Sequence, residues 1–353
     1  MPFSSMNLTT RSFISSSHFL YASSSKTPKK AGDLIESTSY NDHKRGAPRM
    51  LQYLPSGEEF VCVNGKNRYT RALYGGHTAW RLETGDRPIF ATYVKNDCRN
   101  IRFRLHLPDG TVTPLEETDW CEARYNPGTY ALKDKAWGEN CSLKVSVLAS
   151  LTEEMAVWEL SGELPASCEL EVLNSPIRRK KLSRSGDMGA DPPGCFEPAE
   201  DGTVLQTLKC RFLADGHLYV GISGNELKEM RDGGVQYLAL QKACRELAGR
   251  IRITTPDPYF NTLGGALAVA ADGIWGEEGV WLHGAVGWRM PLSGWRAAYV
   301  GDVLGWHDRA RTHFDNYAAS QVTEVPNTIS HPAQDSALAL ARSAKIWGTP
   351  QYS

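Results

Sequence analysis

The chain has 353 residues, 41% of them apolar and 22% charged, with a formal net charge of −1. Without a broad basic field it offers little to a nucleic-acid backbone or an anionic membrane surface. No run of about twenty apolar residues is present to cross a bilayer as a helix, and the length suggests two or three globular domains.

Residues 1–48 are dominated by Ser and Thr, with scattered Lys26, Lys29, Lys30, Lys44 and Arg45 and no apolar periodicity. Such a composition buries too little surface to order itself. Two readings stand. One is a disordered leader. The other is an export signal built on Arg11–Ala22, with Ala22-Ser-Ser24 as a cleavage site and an unusually polar centre; it would make the protein periplasmic or secreted.

Residues 49–235 read as an antiparallel β-sandwich. Ile101-Arg-Phe-Arg-Leu-His-Leu107 alternates apolar with basic residues and ends at the turn Pro108-Asp109-Gly110. Similar short runs are Phe60–Val63, Leu143–Leu148, Met155–Leu160, Leu170–Leu173, Val204–Leu208 and His217–Ile222, separated by turns such as Asn64-Gly65, Asn126-Pro127-Gly128 and Asp215-Gly216. The stretch from Arg178 to Pro198 interrupts the strands with a basic cluster and several Gly and Pro residues, and reads as a solvated excursion that could also reach over a neighbouring cleft. All eight cysteines lie between Cys62 and Cys244 without a CxxC pair. Zinc-type spacing is therefore absent, and a chain of this length needs no disulfide.

Residues 236–254 read as a connecting helix and linker, with Leu240, Cys244 and Leu247 on one face. Asp257-Pro258 then supplies an N-cap followed by Pro at the first helical position. Phe260, Leu263, Leu267, Ala270, Ala271 and Ile274 follow at helical spacing, while Gly264, Gly265, Ala266 and Ala268 allow close approach by another helix. A later stripe comprises Ala310, Phe314, Tyr317, Ala318 and Gln321. Pro332 opens a further helix bearing Ala337, Leu340, Ala341, Ala344 and Trp347.

Between these helices, Trp281 to Arg311 concentrates the residues with chemistry. Half of the ten tryptophans fall between Trp275 and Trp306, interleaved with Arg289, Arg296, His283, His307, Asp302, Asp308 and several glycines. Two readings fit. Flat aromatic faces with forked guanidiniums and carboxylates suit a sugar-binding surface; the same residues suit a tightly packed helical joint with Arg–Asp struts. The histidines His283, His307 and His313 lack the i, i+4 spacing of a helical ligand pair, so no metal or other cofactor is expected.

Three stretches resemble the six-hairpin glycosidase superfamily, and most closely an uncharacterised bacterial family associated with polysaccharide degradation. They are Asn67–Gly75 with Trp80, Arg81, Glu83, Thr84, Gly85 and Asp86; Asp187-Met-Gly-Ala-Asp-Pro-Pro-Gly194; and Thr255–Gly265 leading into Gly287–Arg296 and Gly305-Trp-His-Asp-Arg309. The resemblance implies a β-sandwich followed, over residues 255–353, by the first helices of an incomplete (α/α)6 toroid, in a chain that looks C-terminally truncated. It also implies hydrolysis of a polysaccharide or oligosaccharide by a pair of carboxylates. Asp302 and Asp308 are the candidate catalytic pair, with Asp308 alternatively an i, i+3 ion-pair partner of Arg311. Trp288, Arg289, Trp295, Arg296, Trp306 and His307 are the candidate substrate contacts. A polysaccharide lyase using Tyr299, Arg296 and His307, or a non-catalytic carbohydrate-binding protein, are the competing expectations. The expected partner is a carbohydrate rather than nucleic acid or membrane, and an open toroid edge would favour self-association.

Overall fold

A computed structural model describes residues 53–69, 71–74, 76–94, 97–125, 128–179, 193–283 and 295–319, with the backbone alone at Arg71, Ala72, Tyr74, 295–298 and Tyr317. The leader expected over residues 1–48 and the helix expected from Pro332 lie outside the described residues. In chain order the strands are β1 (Leu54–Ser56), β2 (Glu59–Val63), β3 (Arg71–Tyr74), β4 (Arg81–Thr84), β5 (Phe90–Tyr93), β6 (Arg99–His106), β7 (Val112–Pro114), β8 (Trp120–Tyr125) and β9 (Gly128–Lys133). They continue as β10 (Ser142–Ala149), β11 (Met155–Glu163), β12 (Glu169–Pro176), β13 (Gln206–Arg211), β14 (His217–Ser223) and β15 (Glu226–Glu229). Helices α1 (Gly233–Ala248) and α2 (Pro258–Gly273) follow, then the small hairpin of β16 (Trp275–Gly276) and β17 (Val280–Trp281), then α3 (Trp295–Val303) and α4 (His307–Ala319).

One sheet has the order β1-β2-β8-β9-β10-β11-β14-β15 and the other β13-β12-β6-β5-β4-β3, with β7 paired to β6. All these pairings are antiparallel. The two sheets share one core. Ile101, Phe103 and Leu105 of β6 and Val172 of β12 meet Tyr130, Val145 and Trp158 of the facing sheet. Trp158 centres it, its ring 5.3 Å from Phe90 and 5.5 Å from Phe103. The alternation read in β6 is therefore one apolar face turned inward and one basic face turned out.

That outer face is not simply solvated. Arg102 donates to Glu116 at 2.9 Å and also bonds Glu197, and His106 lies 3.2 Å from Glu171. The two ends of the 178–198 excursion pair with each other, with Arg178 N–H donating to the Glu197 carbonyl at 2.6 Å and Ile177 bridging Pro198. Ile177 and Phe196 are buried against Tyr69, Ile89 and Tyr93. The described ends of the excursion thus form a small apolar cap on the sheet, which corrects the purely solvated reading. Its centre, residues 180–192, lies outside the described residues.

The helical part grows directly from the sheets. α1 starts at Gly233, where a Cβ would come within 2.3 Å of Tyr219 Cβ, so only glycine lets the helix start that close to β14. Tyr237 then packs with Leu148 and Val157 beneath the partly buried Leu240 and Cys244. At α2 the expected N-cap is present, Asp257 accepting from the Tyr259 N–H at 2.8 Å. Its apolar stripe is oriented differently from expectation: Phe260 is 57% and Leu267 46% exposed, while Gly264, Ala266, Ala268 and Ala271 are buried. Small side chains win the buried face because the backbone comes so close. A Cβ on Gly264 would lie 3.0 Å from the Ile251 carbonyl, and the Thr262 hydroxyl donates to the Gly57 carbonyl at 2.8 Å. Similarly, α4 buries Ala310 and His313 and leaves Phe314 46% exposed.

Trp158 supplies the first test. Its indole N–H is buried without a partner among the described residues. Trp158→Ala should lower unfolding stability by about 3–5 kcal/mol. Trp158→Phe should cost markedly less, because it keeps the ring contacts and removes the unpaired donor. Urea unfolding of the two variants decides this; equal losses would remove Trp158 from the centre of the core.

Candidate functional site

The helices are assembled around Trp281, which is fully buried. Its backbone N–H donates to His313 Nδ1 at 3.2 Å, and its indole N–H donates to the Ala271 carbonyl at 3.3 Å. A Cβ on Gly301 would lie 2.5 Å from the Trp281 ring, so α3 passes there with no room for a side chain. α3 and α4 are then joined by a corner at Leu304-Gly305-Trp306. Gly305 takes φ 72°, its N–H donates to the Asp302 carbonyl at 3.1 Å, and the Trp306 N–H donates to the Gly301 carbonyl at 2.7 Å.

The corner brings several of the candidate residues together. Asp302, in the last turn of α3, places Oδ1 3.2 Å from Nδ1 of His307, and both side chains are well exposed. Asp308 is also exposed, in the first turn of α4, and forms no ion pair with Arg311 among the described residues. Trp306 is placed otherwise. It is half-buried between the helices, its ring centroid 4.5 Å from the Arg309 guanidinium and 5.3 Å from that of Arg250. Its aromatic surface is thus already engaged by cations, which leaves less of it for a sugar. Trp295 and Arg296 begin α3, with only their backbone described, and Trp288 and Arg289 lie outside the described residues.

Below the corner sits a group that the sequence reading missed. Asp272, near the end of α2, accepts from Arg309 Nη1 at 2.7 Å, and His77 Nε2 lies 3.4 Å from each carboxylate oxygen. Burial opposes ionisation of Asp272, but the bonds from His77 and Arg309 outweigh it and hold its carboxyl below the ordinary value. Arg309 also lies over Trp275 at 5.4 Å. A usable signal was present: from Pro258 to Gly273, Asp272 is the single charged residue in an otherwise uncharged helix. Its partner His77 comes from a loop almost two hundred positions earlier, and spacing along the chain could not reveal it.

A second buried charge lies on the outer face of the β4–β5 sheet. Arg81 Nε donates to Glu83 at 2.8 Å and its guanidinium stacks 3.7 Å from the Tyr93 ring centroid. Burial pushes the Glu83 carboxyl up against the pull of Arg81, and its Oε2 has no partner among the described residues. The pair belongs to the Trp80–Asp86 stretch that carried part of the resemblance, and both side chains are buried. Cys98, Cys141, Cys168, Cys195, Cys210 and Cys244 are free thiols. Burial pushes Cys98 and Cys244 up to about 11 and Cys210 up to about 12, so these thiols are protonated at neutral pH. Among the described residues no three His, Cys, Asp or Glu side chains converge on a possible metal position.

With this geometry in view, the comparisons with known proteins are narrow. A family described as Domain of unknown function (DUF4450) matches residues 98–206. That span runs from just before β6 to the first residue of β13, so it covers strands of both sheets and the capping excursion and ends before the helices. No curated protein matches the chain.

Two measurements follow. Asp272→Ala should cost about 3–5 kcal/mol at neutral pH, since it strands Arg309 beside buried surface. Because the folded carboxyl titrates below its unfolded value, the stabilisation is full above the ordinary Asp range near pH 4 and fades only as pH falls through the lower folded value. Paired urea titrations of parent and variant across acid pH should converge there; a gap that closes at higher pH would contradict the placement. In the folded protein at neutral pH, iodoacetamide should label the partly exposed Cys141 and Cys195 first. Cys98 and Cys210, which are buried, should react only on unfolding, as peptide mapping would show.

Proposed function

We propose that the chain is a carbohydrate-active protein of the six-hairpin glycosidase type, in which the two-sheet part precedes the first hairpins of an (α/α)6 toroid. Its reaction is hydrolysis of a glycosidic bond in a polysaccharide or oligosaccharide, with Asp302 and Asp308 as the carboxylate pair. One protonates the leaving oxygen while the other activates water or attacks the anomeric carbon. Trp288, Arg289, Trp295, Arg296 and His307 hold the sugar. The observation that carries this reading is the α3–α4 corner. It presents one carboxylate from each helix beside an imidazole hydrogen-bonded to Asp302, all three side chains exposed to solvent.

A specific observation favours a second reading. The Asp302 and His307 side chains are 59% and 71% exposed, whereas acid catalysis at neutral pH generally uses a carboxyl enclosed by apolar surface. Such an open corner suits a non-catalytic carbohydrate-binding surface equally. Self-association through the helical part also belongs to the proposal, supported by the exposed Phe260 and Leu267 on α2; sedimentation should then depend on protein concentration.

Incubation of the purified chain with a panel of plant and microbial polysaccharides separates the alternatives. New reducing ends without near-ultraviolet absorbance support hydrolysis, and Asp302→Asn should then slow turnover by about 10²- to 10⁴-fold. An unsaturated product absorbing in the near ultraviolet would replace hydrolysis with lyase chemistry and direct attention to Tyr299. Binding without product would leave the binding role, and neither binding nor product would sink the carbohydrate reading.

A further inference from the structure

The corner that presents Asp302, His307 and Asp308 is held by groups from far along the chain. Leu304 lies just past the last turn of α3, where helix carbonyls lack partners within the helix. Its carbonyl accepts from Arg250 Nη1 at 2.8 Å, 54 positions away in sequence. A guanidinium there also offsets the negative end of the α3 dipole. The same guanidinium lies 5.3 Å from the Trp306 ring centroid, and Arg309, in the first turn of α4, lies 4.5 Å from that centroid. Arg309 is in turn fixed by Asp272 at 2.7 Å, and Asp272 by His77 from the two-sheet part. Just beyond α2, the Glu277 N–H donates to the His77 carbonyl at 3.1 Å, so the loop carrying His77 is itself tied to the helices.

We infer that Arg250 and the Asp272–Arg309 pair are positioning residues: they fix the Leu304-Gly305-Trp306 corner and thereby the mutual orientation of Asp302 and His307. Neither Arg250 nor Asp272 forms a hydrogen bond to the presented side chains among the described residues. Each acts through the corner, Arg250 from the α3 side and Asp272 through Arg309 from the α4 side. The functional meaning of the inference rests on the carbohydrate reading, because only there does the orientation of Asp302 against His307 matter for a ligand. The positioning itself requires no sugar and can be measured without one.

The test uses the full chain with Arg250→Met, Arg250→Lys and Asp272→Asn. Amide hydrogen exchange is followed at Gly305, Trp306 and Ala310, whose N–H groups bond the Asp302, Gly301 and Trp306 carbonyls. The His307 imidazole resonance is read beside that of Asp302→Asn. Arg250→Met should speed exchange at these amides by about tenfold or more, as expected on loss of a charged hydrogen bond, and should move the His307 resonance towards its position in Asp302→Asn. Arg250→Lys keeps a donor for Leu304 and should restore most of both, while Asp272→Asn should shift His307 in the same direction as Arg250→Met. Amides of β10 and β11 should be unchanged in Arg250→Met. Acceleration spread evenly over helices and sheets would reduce Arg250 to a general stabiliser and overturn the inference, as would a His307 resonance left unmoved. A separate titration of the parent with soluble oligosaccharides then reads the functional premise. Failure of that titration alone would remove the carbohydrate reading and leave the positioning result standing.

Discussion

The helical part depends on one buried indole. Trp281 contributes its backbone N–H to His313 on α4, its ring N–H to the α2 backbone at Ala271, and the six-membered part of its ring to Gly301 on α3. Three consecutive helices are thereby given one common reference point. The edge-on contact with Trp275, 4.6 Å between centroids, extends the same cluster across the β16–β17 hairpin. The position of the α3–α4 corner is a consequence of this packing, since Gly301 and Ala310 approach each other only because neither carries a longer side chain.

Small residues recur wherever an element is set against another. Gly233 sits on Tyr219, Gly264 on the Ile251 backbone, and Gly301 on Trp281. Each trades helix propensity, about 1 kcal/mol for glycine against alanine, for close contact that a larger residue would prevent. This choice explains why α2 shows Phe260 and Leu267 to solvent. Its buried face is selected by how closely the backbone can approach, so the largest apolar groups are left outside.

The sheets were largely legible where burial is one-sided. Strand β6 has Ile101, Phe103 and Leu105 inward and Arg102, Arg104 and His106 outward, and β10, β11, β12 and β14 carry comparable signals. β4 and β5 were not legible, because all four residues of each are buried and several of them are polar. Arg81 and Glu83 in a fully buried strand defeat any rule that sends charge to the surface; they are interior because each pairs with the other and Arg81 stacks on Tyr93. At the candidate site, Asp302, His307 and Asp308 were singled out from residue type and resemblance, and Asp302 and His307 lie within hydrogen-bond distance. The Asp272 cluster was not, because its meaning depends on His77 and Arg309 being folded onto it. Trp306, singled out as a sugar contact, has its ring engaged by Arg250 and Arg309, two arginines that were not among the candidate contacts.

Four carboxyls in this molecule show what decides the direction of a buried charge. Glu83 and Glu116 each engage one arginine and each leave Oε2 buried without a partner among the described residues. Burial dominates in both and raises them. Asp272 is also buried, but Arg309 meets one oxygen and His77 lies near both, and its carboxyl is lowered. Asp109 is fully exposed and is lowered by the Thr111 N–H bond at 2.8 Å, without needing a cation. Satisfied oxygens, rather than proximity to one positive charge, thus separate the two outcomes. The consequences for pH run in opposite senses. A raised folded carboxyl favours the folded state at low pH, and that advantage is lost as pH rises through the folded value; the Asp272 contribution is present above its unfolded value and lost as pH falls through the lower folded one. The Glu83 and Glu116 carboxyls on the sheet face and the Asp272 carboxyl at the helical junction therefore respond to acid with opposite signs, and the Asp272 contact beneath the α3–α4 corner weakens as pH falls.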